Sequence, residues 1–375
     1  MIAGDLYDGD QTSMKTARFL ADQLQRLDEA GIRVFIIRGN HDALSKITQE
    51  LVLPAGVRLY RGRAEAVPVE RPRGDVPIVV HGLSFAKPQA PESLLPSYKP
   101  PVPDAVNIGL LHTSLAGSPR HDVYAPSNLA DLHGHGFDYW ALGHIHQRAA
   151  HAASLRAGAA MVVMAGMPQG RDINEAGPKS VSLVTVGDDR SVHVDERLTS
   201  IAEFRRVPLD VTGLGEWSDV VAALGKALAT ARTETRSPHL VARVEISGAS
   251  PLAWRMRRDA DLLKAEADRA ASRLGDAHVE KLVPGASNPV VAGDDADPLV
   301  ELARLVGADV LGTAAFRAGL GEWAAQLSGA LPGELRDLFG ANEAAAETVL
   351  AQLAAEGAEE VLARLEAAQP TGSAD

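Results

Sequence analysis

Four short clusters carry side chains suited to hard or borderline cations: Gly4-Asp5, Gly39-Asn40-His41-Asp42, His112 and Gly143-His144-Ile145-His146. Carboxylate, amide and imidazole donors of this kind suit Mn²⁺, Fe²⁺ or Zn²⁺. Glycines beside three of the clusters let the backbone turn sharply and come close to a bound ion. Two histidines at i and i+2 can lean toward two ions that share a bridging carboxylate. Two ions about 3.5–4 Å apart clamp a phosphate and activate a water between them. Each cluster alone is a weak signal. The combination of GNHD and GHIH, each after a buried strand, is a strong one.

The elements that must position these clusters are legible as short apolar runs. VFII (34–37) runs into Arg38-Gly39-Asn40, NIGLL (107–111) into His112, and YWAL (139–142) into Gly143-His144. PIVV (77–80), MVVMAG (161–166) and VSLVTV (181–186) repeat the pattern. Continuous apolar runs of four to eight residues indicate strands buried on both faces. In open α/β sheets, sites form beyond the carboxyl ends of such strands. Residues 13–30 place Met14, Ala17, Leu20, Ala21, Leu24 and Leu27 on one helical stripe, with Thr12 or Ser13 as cap and Gly31 at the C-terminal end. The expected fold class is α/β, a layered sandwich over residues 1–200. A small α+β accessory domain follows at 204–285, with VPLDV (207–211), a helix near 217–232, LVARVEIS (240–247) and a helix over 256–274. Residues 284–298 read as a linker. Residues 298–367 form a helical C-terminal region of amphipathic stretches.

The chain has 375 residues, 46% of them apolar, and no cysteine, which excludes disulfides and thiolate metal sites. No apolar run reaches the length of a membrane-spanning helix, and the start lacks a basic then apolar leader. The expected location is cytoplasmic. The net charge of −12 argues against nucleic acid at first, but from Asp294 onward there are 15 acidic and 4 basic residues, a net of −11. The rest is near neutral and can bind DNA where bases cluster. Arg58, Arg61, Arg63, Arg71 and Arg73 are grouped, but Glu65, Glu70 and Asp75 interrupt them, and a solvated face is the favoured reading.

AGDLYDGD, IRGNHD, LLHTS, HDVYAP and FDYWALGHIH, in that order over residues 1–200, resemble the calcineurin-like metallophosphoesterases. Within these the chain is most similar to the DNA-repair nuclease branch, the nuclease subunit of SbcCD complexes and the YhaO-like exonucleases. The resemblance implies a metallophosphoesterase sandwich with two divalent ions, Mn²⁺ being the expected metal. It implies that Asp5 bridges the ions, that Asn40, His112 and His144 complete the second site, and that His146 serves the first. His41 becomes the catalytic histidine, and an activated water attacks phosphorus in line. The family also carries an Asp-x-His motif at the end of its first strand, and none precedes Asp5 here. Met1-Ile2-Ala3 then reads as the remnant of a later strand, in an N-terminally incomplete domain. Either the assigned start falls short of the natural one, or the natural protein is a shortened relative. With Asp5 and His146 alone for the first ion, that site is expected to be weakened and nuclease activity reduced.

His121 and Tyr124 in HDVYAP and Arg171 in GMPQGRD are candidate substrate contacts, weighed against a packed loop and a solvated arginine. His133 and His135 precede a strand, so a loop role is favoured. His81 reads as structural, Asp42 as orienting His41 or capping a helix, and Asp8 as supporting the first loop. Trp217, Trp254 and Trp323 read as core or interface. The function expected from the resemblance is an exonuclease of DNA repair, with DNA, an SMC-like coiled-coil ATPase and a second copy of the chain as partners, and no membrane. The alternatives are a scaffold with little or no catalysis, and a phosphatase or small-nucleotide phosphodiesterase of the same superfamily. The strand-end motifs encode the metal pair and not the leaving group, so they do not separate these.

Overall fold

The structure is a computed structural model that describes residues 1–7, 13–43, 52–69, 76–115, 124–154, 160–289, 298–332, 338–340 and 342–368. His121, Asp8, Thr12, Arg71 and Arg73 lie outside them. The chain divides into two compact units, Met1–Glu203 and Phe204–Asp375.

In the first unit, β1 (Ile2–Ala3), β2 (Val34–Ile37) and β3 (Val57–Leu59) form a parallel sheet in that order, with α1 (Met14–Glu29) between β1 and β2. A second sheet holds six strands: β4 (Glu65–Pro68), β5 (Ile78–Gly82), β6 (Val106–His112), β7 (Tyr139–Gly143), β9 (Met161–Met164) and β8 (Ala149–Ala152), in that order. Its central strands β5, β6, β7 and β9 are mutually parallel, and β4 and β8 close the edges antiparallel. Helix α2 (Leu129–Gly134) precedes β7, and β10 (Ser180–Val186) pairs antiparallel with β11 (Val192–Leu198).

Alternation along the strands builds the layers, since successive side chains point to opposite faces. Phe35 and Ile37 share a core with Val80, Ile108, Leu110, Tyr139, Ala141 and Val192, so the two sheets and the β10–β11 ribbon pack face to face. The other parity of β2, Val34 and Ile36, packs with Leu24 of α1. The other parity of the second sheet, Leu111, Trp140, Leu142 and Val162, packs with Leu132 of α2. The result is a helix–sheet–sheet–helix sandwich. In α1, Ala17 and Leu24 are buried as the stripe requires, but Met14 is exposed and Leu27 lies at its solvent edge. Gly31, at φ +72°, ends the helix, with its N–H bonded to Asp28 O and that of Ile32 to Leu27 O. This is the Schellman pattern of a left-handed residue just past the helix.

The second unit begins with a three-stranded sheet, β12 (Ala202–Asp210), β13 (His239–Ser247) and β14 (Ala277–Val283), with β13 central. Leu240, Ala242, Val244 and Ile246 of β13 pack against Val220, Leu224 and Leu228 of α3 (Trp217–Glu234) and Leu263 and Ala267 of α5 (Ala260–Leu274). The expected helix over 256–274 is interrupted at Asp259, leaving α4 (Ala253–Arg258) ahead of α5. Helices α6 (Pro298–Leu305), α7 (Ala314–Ala330) and α8 (Glu343–Ala368) complete the unit. Trp254 of α4 is buried with Leu299 of α6 and Leu362 and Ala363 of α8, and its indole N–H donates to Glu359 at 3.0 Å. Trp217 carries the Arg255 guanidinium over its ring, and Trp323 is exposed beside Phe339. Among the described residues no helix is long and apolar enough to cross a membrane.

Candidate metal centre

The strand registers level the site loops. Ala3 pairs with Ile37, so Gly4-Asp5 and Arg38-Gly39-Asn40 leave the first sheet side by side. His112 pairs with Gly143, so β6 and β7 end together and His144 follows at once. Gly143 has a packing reason to lack a side chain: a Cβ there would lie 2.0 Å from the carbonyl oxygen of Ala3. A Cβ on Gly39 would lie 2.3 Å from Asp5 Oδ1 and 2.5 Å from His112 Cε1. The two sheets therefore meet at this edge closely enough to bring their loop donors together.

Among the described residues, Asp5, His112 and His144 form one group whose ligand atoms all lie within 4.8 Å of one another. Asn40 joins it, its Oδ1 3.0 Å from His112 Nε2, while Asp5 Oδ2 lies 3.2 Å from the same nitrogen. His112 is fully buried, and its Nδ1 lies 2.8 Å from the carbonyl oxygen of Ala3. A carbonyl only accepts, so Nδ1 carries a proton and donates it. Nε2 is thereby turned toward two oxygen acceptors. Three lone-pair donors facing one another are reconciled by a cation between them, a proton or a metal ion. The donor set of one carboxylate, one amide oxygen and two imidazoles fits a divalent transition metal. The backbone at Asp5 (φ +53°) and His144 (φ +106°) is left-handed, a conformation costly for residues with a side chain and concentrated at functional sites.

Burial pushes the Asp5 carboxyl up, but the contact with His112 and the bond from the backbone N–H of His41, 3.0 Å from Oδ1, outweigh it and leave Asp5 below the ordinary carboxylate range. Asp42 is buried, which raises its carboxyl together with the charge of Asp5. It accepts from Gly39 N at 2.6 Å and from Leu6 N at 3.0 Å, so it ties the β1 and β2 loops to each other. That places it as a brace between loops, with His41 exposed at the rim beside Asp5.

His146 stands outside the three-residue group. Its Nδ1 donates to Glu175 Oε1 at 2.8 Å. Glu175 also accepts from the backbone N of Arg171 at 2.7 Å and from the Arg171 guanidinium at 2.9 Å. Arg171, weighed from sequence as a phosphate contact against a solvated arginine, is paired with a carboxylate here. Burial raises the Glu175 carboxyl, but the bonds from Arg171 and His146 hold it down to about 2. Glu175 was not singled out from the sequence; it ends the short 3-10 turn Ile173–Glu175 in the loop that follows β9, and no local pattern marks it. The Tyr124 ring stands edge-on to His144, 5.4 Å between centroids. His81 is buried, its ring tilted against Phe137, and donates to Asn107 Oδ1 at 2.9 Å, a structural arrangement. His133 lies in α2 and His135 at its C-terminal cap, the ring of His135 among Tyr98, Phe137 and Trp140. Arg58 and Arg63 both face Glu65, consistent with a solvated, paired face.

The two-sheet sandwich brings carboxylate, amide and imidazole groups together at one strand edge, and residues 1–148 match the calcineurin-like phosphoesterase family. Residues 204–284 match the family described as metallophosphoesterase YhaO, middle domain. The chain is 34% identical over 215 residues to the uncharacterized metallophosphoesterase YhaO of Bacillus subtilis (strain 168), over 56% of this chain and 51% of that protein. It thus spans about half the length of the curated relative it matches.

Proposed function

We propose that this chain hydrolyses phosphodiesters, with DNA ends as the substrate. The observation that carries the hydrolytic reading is the convergence of Asp5, Asn40, His112 and His144, with the His112 tautomer set by Ala3 so that Nε2 faces the two oxygens. Asp5, Asn40, His112 and His144 would hold one divalent ion, and Asp5 with His146 would contribute to a second. Such ions polarise a phosphoryl oxygen and lower the pKa of a water. The protein's own part is positional. Asp42 fixes the two loops, Ala3 fixes the His112 ring, and the lowered Asp5 carboxyl stays ionised at neutral pH. His41, exposed beside Asp5, would deliver a proton to a departing oxygen. Four donors converge around His112, whereas Asp5 and His146 are the residues proposed for the second ion, which supports one tight and one weaker ion. Mn²⁺ is the proposed metal.

DNA as substrate rests on the motif resemblance, above all FDYWALGHIH with HDVYAP. Incubating the chain with linear duplex DNA and Mn²⁺, beside His41→Ala, tests it. Degradation by the parent and at least a hundredfold slower degradation by the variant is expected. Equal degradation by both removes the role of His41. Cleavage of bis-p-nitrophenyl phosphate without cleavage of DNA would favour the small-phosphodiesterase reading, and cleavage of p-nitrophenyl phosphate alone a phosphatase. The coiled-coil ATPase and self-association are carried as partner proposals for the second unit, whose helices expose Leu305, Val310, Trp323, Leu353 and Val361.

A further inference from the structure

The three-residue group explains His112 and His144 but leaves His146 to be positioned by something else. Its ring nitrogen Nδ1 lies 2.8 Å from Glu175 Oε1. The two residues are 29 apart in sequence, yet β7 and β9 are parallel neighbours, so the loops after them leave the sheet at the same edge. The loop carrying Glu175 is rigidly built. Ile173 is buried, and the short 3-10 turn Ile173–Glu175 is capped by Asp172 Oδ1, which accepts from Asn174 N at 2.7 Å. The Glu175 side chain is only 9% exposed although its partner His146 is 46% exposed. Arg171 holds both carboxylate oxygens, Oε2 through its backbone N–H at 2.7 Å and Oε1 through Nη2 at 2.9 Å.

We propose that Glu175, locked by Arg171, is the positioning residue that fixes the tautomer and ring orientation of His146, turning Nε2 toward a divalent cation. Oε1 of an ionised carboxylate only accepts, so Nδ1 holds the proton and Nε2 holds the lone pair. Imidazoles that bind metal through one nitrogen regularly donate the other N–H to a carboxylate, which fixes the ring and strengthens the donor. Arg171 then acts two bonds removed from the metal, by holding the carboxylate and not by touching substrate. The inference rests on the metal-centre reading above.

The test uses the full chain and Mn²⁺ as probe. In the metal-free protein, long-range ¹H–¹⁵N spectra of the imidazoles, with His146 assigned by His146→Gln, are expected to show His146 protonated on Nδ1, and Glu175→Ala to shift it toward the mixed tautomers of a solvated histidine. By calorimetry Glu175→Ala weakens the Mn²⁺ isotherm that depends on His146 by about 10- to 100-fold, and Glu175→Gln, which keeps an acceptor oxygen, loses less. In a His146→Ala background Glu175→Ala has no further effect on Mn²⁺, which a general loss of folding would not reproduce. Mn²⁺ binding by Glu175→Ala and Glu175→Gln equal to the parent, or a His146 ring protonated on Nε2, overturns the proposal while the metal centre stands. A parent chain that takes up no Mn²⁺ overturns both.

Discussion

His112 Nδ1 lies 2.8 Å from the carbonyl oxygen of Ala3, so the end of β6 reads the main chain of β1 across 109 residues of sequence. Replacing His112 by Ala removes a buried ring that also faces Asp5 and Asn40. Calorimetric Mn²⁺ affinity should fall at least tenfold. The urea-derived stability should fall by about 1–3 kcal/mol for the buried groups left unpaired. Unchanged Mn²⁺ affinity would remove His112 from the centre.

Gly39→Ala should be more damaging than its chemistry implies. The added methyl would lie 2.3 Å from Asp5 Oδ1 and 2.5 Å from the His112 ring, so one of the two must move. The expected outcome is loss of Mn²⁺ binding in the calorimeter. A variant that binds as the parent does would show that the loops relax freely.

Asp42→Ala leaves the N–H groups of Leu6 and Gly39 without their acceptor. An unsatisfied buried group costs about 1–3 kcal/mol, and two are affected. Thermal melting should show the loss even without metal. Asp42→Asn, which keeps one acceptor oxygen, should lie between Ala and the parent. A melting temperature indifferent to both substitutions would deny Asp42 its bracing role.

Acid should weaken the fold through Glu175 and Asp5. Both carboxyls are lowered in the folded chain, against burial, by their cationic and N–H partners. A group more acidic when folded contributes stability that is complete above its unfolded pKa and lost as pH falls through its folded pKa. For Glu175 that window runs from 4.5 down to about 2. Asp42, raised by burial, acts in the opposite sense, favouring the fold as it protonates. Urea midpoints measured from about pH 5 to about pH 2.5 should fall, and fall less steeply in Glu175→Gln. Equal slopes in both proteins would contradict the assignment.

Trp254→Ala should release the last helix from the second unit. The indole is buried against Leu299, Leu362 and Ala363 and donates to Glu359. Loss of a buried Trp costs about 3–5 kcal/mol. Amide exchange in α8 should accelerate while that of β13, in a separate core, changes little. Uniform acceleration would mean that the two clusters unfold as one.

Much of this is legible in the sequence. VFII, NIGLL and YWAL are buried on both faces and announce themselves as strands, and the polar residues past their ends are the ones the fold gathers at Asp5, Asn40, His112 and His144. β3, β4, β8, β11 and β14 passed unnoticed because they are short or alternate polar and apolar residues, and only their neighbours hold them as strands. The break at Asp259 was invisible because the residues on both sides favour helix. Glu175 was hidden for a different reason. Its role depends on β7 and β9 being adjacent, which no local pattern encodes.

β1 contributes just two rungs to its sheet, Ile2 on Ile36 and Ala3 on Ile37. So brief a ladder cannot hold its own alignment, since a slip of one residue would turn Asp5 to the opposite face. What pins it is the clasp of His112 on Ala3 and of Asp42 on Leu6. The His112 ring that would offer Nε2 to an ion therefore fastens Ala3 through Nδ1, and filling the centre should tighten that hem of the sandwich as a buckle tightens a strap.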